Sequence, residues 1–325
     1  MTSLAADGGV AADGRDGDRG QLLLVGALSL AVLFVALALL LNTAIYTGTL
    51  ATRDAGVDTA AVTGYVSEAR AAGAATIRSV NYRNNSSKSD LTAAFDATMR
   101  RWDDLASHHR AVAGALADVT VTGFTNGTRV QQDDASRDFT DAGGDGNWTV
   151  AADPDLSGIR SLRFTVAEST LADSPGDVVA DAVFHVNVTS DAGTQSLYVY
   201  DDGGNPEVRI DAGGTTTTCT AGSVTDGTFV IDVANGSVGG APCDALARVD
   251  DVSTDAAVRF RDGQAAGGTY TMVLDEPPSG LAVLSPPQAG SGPPYWTYAV
   301  YAAELRVGYR TQGLDYAVTV EVRPR

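Results

Sequence analysis

The chain has 325 residues, with 40 acids against 22 bases for a net charge of −18 at pH 7. That length allows two ordinary domains, and a charge of that sign excludes nucleic acid as a partner, because its phosphates would be repelled. Mean hydropathy is −0.01, which excludes a wholly disordered acidic chain.

Residues 1–20 are poor in apolar side chains and rich in Gly, Ala and Asp, so they are predicted to be a disordered cytoplasmic leader. Gln21 to Thr52 holds no charged residue, and Leu22 to Leu41 is almost wholly apolar. Twenty helical residues rise about 30 Å, the thickness of a bilayer's hydrocarbon core. Residues 21–46 are therefore predicted to be a transmembrane helix, with the lipid bilayer as partner. Arg15 and Arg19 precede it and Arg53 follows it, so the positive-inside rule sets the N-terminus in the cytoplasm. The expected localisation is a single-pass cell-membrane protein with the bulk of the chain extracellular. The apolar core is too long for a cleaved secretory signal.

Residues 47–117 change to a helical period and are predicted to be a stalk. Val57, Ala60, Ala61, Tyr65, Ala72 and Ile77 recur near 3.6-residue spacing. A polar break follows from Asn81 to Ser89. Ser89 or Asp90 can cap a second helix with the stripe Leu91, Phe95, Met99, Trp102, Leu105 and Val112.

Residues 118–325 are predicted to be a β-rich exterior domain. Val119, Val121 and Phe124 lead to Asn126-Gly127, a dipeptide suited to a hairpin turn. Leu162, Phe164 and Val166 alternate, as do Phe184, Val186 and Val188. Leu305, Val307 and Tyr309 face Tyr316, Val318, Val320 and Val322 across Thr311 to Asp315. Glu276 to Pro294 holds most of the prolines and reads as a loop or linker. The expected fold class is α+β: transmembrane helix, helical stalk, then a sandwich-like β-domain.

Asp18-Arg19-Gly20-Gln21-Leu22-Leu23-Leu24-Val25-Gly26 resembles the start of archaeal type IV pilin-like proteins. More closely, the chain resembles haloarchaeal envelope proteins that begin with an Arg-Gly-Gln-Leu run. Its Asp-rich composition, with Lys88 as its one lysine, is similar to that of proteins from salt-loving archaea. The pilin resemblance implies cleavage between Gly20 and Gln21, a helix packed in a filament core, and pilin-like or other envelope subunits as partners. It departs from the archaellin pattern, which carries a hydroxyl residue and a Glu soon after the Gln. A plain anchor and a processed subunit both stay open.

Six positions open Asn-x-Ser/Thr: Asn84, Asn85, Asn126, Asn147, Asn187 and Asn235. The chain has nine asparagines, so composition alone would give fewer, and all six lie beyond the apolar stretch. They are candidate N-glycosylation sites of an exported chain. Cys219 and Cys243 would pair on an exterior face and stay free in a reducing cytosol. His108 and His109 are adjacent on a helix and point about 100° apart, which suits no shared metal. His185 lies in an alternating strand. Two acidic loops, Asp141, Asp145 and Asn147, and Asp201, Asp202 and Asn205, could hold calcium but lack EF-hand spacing. Trp148, Trp296 and the C-terminal tyrosines could form a sugar platform, though such residues are more often core. No catalytic residue, cofactor site or metal site is assigned. The expected function is a cell-envelope protein of structural or interaction type and not an enzyme; the alternatives are a filament subunit and a solute- or glycan-binding module.

Overall fold

Two helices come first. α1 covers Asp16–Arg83 and α2 covers Lys88–Val112. The computed structural model describes residues 16–83, 85–153, 156, 158–174, 176, 178, 181–249, 255–275 and 292–324; within α1, side chains are described over 26–38 and 59–83. The chain divides into two compact units, Met1–Val62 and Thr63–Arg325.

β-branched and aromatic residues at alternate positions then build strands. In order they are β1 (Leu116–Gln132), β2 (Trp148–Asp153), β3 (Ile159–Ala167), β4 (His185–Ser190), β5 (Gly193–Asp201), β6 (Pro206–Ala212) and β7 (Thr215–Thr220). After them come β8 (Thr228–Asp232), β9 (Ser237–Val238), β10 (Ala241–Pro242), β11 (Ala256–Arg261), β12 (Gly268–Leu274), β13 (Tyr295–Arg310) and β14 (Asp315–Val322). They form two antiparallel sheets. One has eight strands in the order β10-β9-β8-β3-β12-β1-β13-β14; the other has six, β2-β11-β4-β5-β6-β7.

One core lies between the sheets. Phe164, Tyr270, Met272 and Val130 from the large sheet meet Val186, Leu197, Val208 and Phe260 from the small one. Phe139, Phe164, Phe184, Phe260 and Tyr270 share edge-on and tilted ring contacts at 4.7–6.0 Å. Trp148 is buried here, its Nε1 donating to the Phe139 carbonyl at 3.1 Å.

The other face of the large sheet carries the helices. Tyr65 of α1 packs on Tyr309 at 5.8 Å, and Phe95 of α2 meets Phe124 edge-on at 5.3 Å. At Gly73 a Cβ would lie 3.0 Å from both Leu305 and Val322, so the small residue lets α1 settle onto β13 and β14. Asn81, buried near the end of α1, donates from Nδ2 to the Val300 carbonyl at 2.9 Å and accepts the Val300 N–H at 2.7 Å.

Four expectations are corrected. First, among the described residues no helix is long and apolar enough to cross a membrane. The apolar run whose side chains are described, 26–38, rises about 20 Å against a hydrocarbon core of about 30 Å. The transmembrane helix over 21–46 and the single-pass membrane localisation are thereby overturned. Second, residues 47–117 are not a stalk. From Thr63 on, the buried stripe of Tyr65, Ala69, Ile77 and Val80, with Leu91, Phe95 and Met99 of α2, faces the β-sheet. Leu105 and Val112, expected in that stripe, are exposed. The expected α+β order of anchor, stalk and head gives way to a β-rich fold of two antiparallel sheets with helices on one face.

Third, Asn126-Gly127 is no turn. Both residues lie inside the 17-residue β1, paired with Val300 and Ala299. Gly127 is needed for close approach instead, because a Cβ there would sit 2.3 Å from the Leu274 carbonyl oxygen. Fourth, α2 is capped by Ser87, whose Oγ accepts the Asp90 N–H at 3.1 Å, rather than by Ser89 or Asp90. Residues 1–15, Asn84 and most of the expected linker, 276–291, lie outside the described residues.

Candidate binding groove

Strand alternation places Arg163 and Thr165 of β3, Thr269 and Thr271 of β12, Arg129 and Gln131 of β1, and Tyr295 and Thr297 of β13 on the helix-bearing face of the large sheet. The last turn of α1 sets Tyr82 against Arg129 on this surface, and beside it a groove of about 760 Å³ stays open. Its rows are set by register: Gln131 pairs with Thr271, and Thr271 with Arg163. Two strand spacings, about 10 Å, separate the first and last.

Arg129 lines the groove. Its Nε donates to Thr271 Oγ1 at 2.9 Å, and its guanidinium lies 4.8 Å from the centroid of the Tyr82 ring. Burial pulls its pKa below the usual arginine range, yet arginine stays charged at any ordinary pH. Among the described residues no carboxylate lies within ion-pair distance of it. Arg163 is more exposed and stands 3.7 Å from Asp232. At the rim the Tyr295 hydroxyl donates to Asp133 at 2.6 Å. Burial first, and that hydrogen bond second, push the Tyr295 phenol up to about 12. The Thr297 hydroxyl, on the buried wall, has no hydrogen-bond partner among the described residues.

Apart from Tyr295, one of the C-terminal tyrosines, the described residues singled out in the sequence lie elsewhere, with one exception. Asn85 borders the groove, its Nδ2 donating to the Asn81 carbonyl at 3.2 Å. Asn126 is exposed within β1. Asn187 is half-buried in β4 and accepts from Ser196 Oγ at 2.8 Å. Asn147 and Asn235 are exposed in turns. Gly20 and Gln21 fall within α1, and their side chains lie outside the described residues. His108 and His109 are exposed on α2; the His185 ring stacks on Tyr198 at 4.8 Å, its Nδ1 3.0 Å from the Val183 carbonyl.

The acidic loops spend their carboxylates on their own backbone. Asp141 Oδ1 accepts N–H groups from Gly143 and Asp145 at 2.8 Å each, and Asp201 accepts from Gly204. Trp296 is partly buried against the core, so with Trp148 inside it no tryptophan platform exists among the described residues.

Cys219 and Cys243 form a disulfide, with Cα atoms 6.0 Å apart. Cys219 lies on β7, the edge of the small sheet, and Cys243 follows β10, the edge of the large one. The bond therefore staples the two sheets together along one side, rather than closing a local excursion.

Sequence reasoning missed the groove because its residues come from four distant strands and form no motif. The available signal was alternation: Arg129-x-Gln131-x-Asp133, Arg163-x-Thr165, Thr269-x-Thr271 and Tyr295-x-Thr297 each put polar groups on one face.

Residues 16–146 match the model of a family of unknown function, DUF7261. The matched segment holds α1, α2 and β1, and so contributes Tyr82, Arg129 and Gln131 to the groove; Arg163, Thr271 and Thr297 lie beyond it. Among curated proteins none matches the chain.

Proposed function

We propose that this chain is an exported structural protein that works by contact rather than catalysis, and that it assembles with further copies of itself through the apolar run of α1. The observation that carries this reading is the exposure of that run. Leu28, Leu30, Val32, Leu33, Phe34, Val35 and Leu37 are each 50–68 % exposed. Their spacing spreads them around the whole helix rather than along one stripe. A helix that is apolar on every side needs cover from another apolar surface, and an identical helix supplies one. The disulfide is consistent with an extracellular protein, where such bonds persist. The reading keeps the structural role and the subunit partners expected from sequence and drops the bilayer anchor.

Net charge opposes association, and salt relieves it. The Debye length falls from about 10 Å at 0.1 M to about 3 Å at 1 M ionic strength. Light scattering of the full chain is therefore expected to show multimers, more so at the higher salt. The double variant Leu33→Asp, Phe34→Asp should remain a monomer at both. A monomeric parent at both ionic strengths, or a double variant that assembles as the parent does, overturns the reading.

A further inference from the structure

We propose that the groove beside Tyr82 binds an acidic saccharide, with Arg129 and Arg163 holding carboxylates and the threonine rows holding hydroxyls. The chain carries a net charge of −18, and nevertheless two guanidinium groups line its open polar groove, that of Arg163 half-exposed and 3.7 Å from Asp232. Arg129 has given up part of its hydration without gaining a carboxylate among the described residues. A half-buried cation in that condition is stabilised by an anion, and guanidinium forks match carboxylates in two parallel bonds.

The rest of the lining selects among anions. Thr165 and Thr269 offer hydroxyls that both donate and accept, and the Thr271 hydroxyl, which accepts from Arg129, can still donate. Tyr82 is 72 % exposed, and with Arg129 on one side its ring offers the other to the C–H face of a sugar. Asp133, at the rim, is already engaged by Tyr295. A volume of about 760 Å³ lies within the usual range for small ligands. Nucleic acid would meet the same arginines but carries far more negative charge toward an acidic protein.

The saccharide has two conceivable sources, a separate glycan or one borne by this chain at Asn85, which borders the groove and opens a glycosylation sequon. The test is titration calorimetry on the full, unglycosylated chain with trigalacturonate, and with maltotriose as the neutral control. Saturable binding of trigalacturonate is expected, with maltotriose at least tenfold weaker. Arg129→Gln and Arg163→Gln should each weaken trigalacturonate at least tenfold. Arg163 is exposed enough that its variant keeps the fold even if Arg129→Gln does not. Glycosylated chain that takes up the probe only after Asn85→Gln would assign the chain's own glycan as occupant; equal uptake with and without that change would assign a separate one. No saturable binding, equal binding of maltotriose, or indifference to both arginine variants overturns the proposal. The Leu33→Asp, Phe34→Asp variant should bind as the parent does, so failure here leaves the assembly reading standing.

Discussion

Replacing Asn81 with leucine, close in volume but without the amide, tests whether the helices are docked on the sheet. β13 shifts register against β1 between Thr125 and Asn126, next to Val300. At that irregularity the Val300 backbone turns to the helix, and the Asn81 carboxamide serves both its N–H and its carbonyl. Leucine would leave two buried backbone groups without partners, at about 1–3 kcal/mol each, so the loss should be about 2–6 kcal/mol. With a urea slope of about 3 kcal/mol per molar, the midpoint falls by roughly 1 M. Asn81→Asp keeps the acceptor but sets a carboxylate against the Val300 carbonyl, and it should cost at least as much. Urea titration of the full chain, followed by tryptophan fluorescence, reads both. A shift under roughly 0.2 M for Asn81→Leu would refute the docking, because a free-standing stalk would not feel the change.

Two further outcomes follow from the same geometry. Cys219 and Cys243, 24 residues apart, should resist alkylation until reductant is added, and Cys219→Ser with Cys243→Ser should lower the urea-derived stability by about 3 kcal/mol through lost loop closure; free thiols in the untreated protein would contradict the staple. Tyr200 and Tyr295 are both pushed up to about 12, first by burial and then by hydrogen bonds to Glu207 and Asp133. The fold holds their phenols protonated, so that stability is full below the ordinary value of 10.0 and is lost as pH rises toward 12. Urea midpoints should fall over that window, and Tyr295→Phe should flatten part of the fall; an unchanged slope would show that the phenol is not held.

Periodicity revealed which side chains need cover but not what covers them. The alternation of Leu305, Val307 and Tyr309 against Tyr316, Val318 and Val320 is the β13–β14 hairpin, since register and turn are local. The 3.6-residue spacing of Tyr65 and Ile77 marks a buried face in the same way. Nothing in it separates a helical pair packed on itself from one packed on a sheet more than 200 residues away, which is the separation Asn81 spans to Val300. Asn126-Gly127 failed for a related reason. Glycine serves a turn through its backbone freedom and a crowded strand through its missing Cβ, and the crowding atom, the Leu274 carbonyl, is remote in sequence. The apolar stretch misled because hydropathy counts apolar residues and reports only that cover is needed. The groove was illegible for want of a motif, although each of its strands carries the alternation that places it.

The chain's charge and its cationic groove are compatible because they act over different distances. Eighteen net negative charges repel an approaching anion, or a second copy, across solvent, and that repulsion is screened within about 10 Å at 0.1 M salt. The contact between Arg129 and a bound carboxylate would be made inside the groove, partly out of water, where screening is weaker and each hydrogen bond is stronger. Salt thus removes most of the long-range opposition while sparing the short-range attraction. The apolar run of α1 gains from the same change, since burial of apolar surface carries no charge to screen and only the repulsion between acidic surfaces stands against it. On the two readings proposed above, an acidic surface of this kind would keep copies apart in dilute salt and let two specific contacts, one apolar and one cationic, take over when the ionic strength rises.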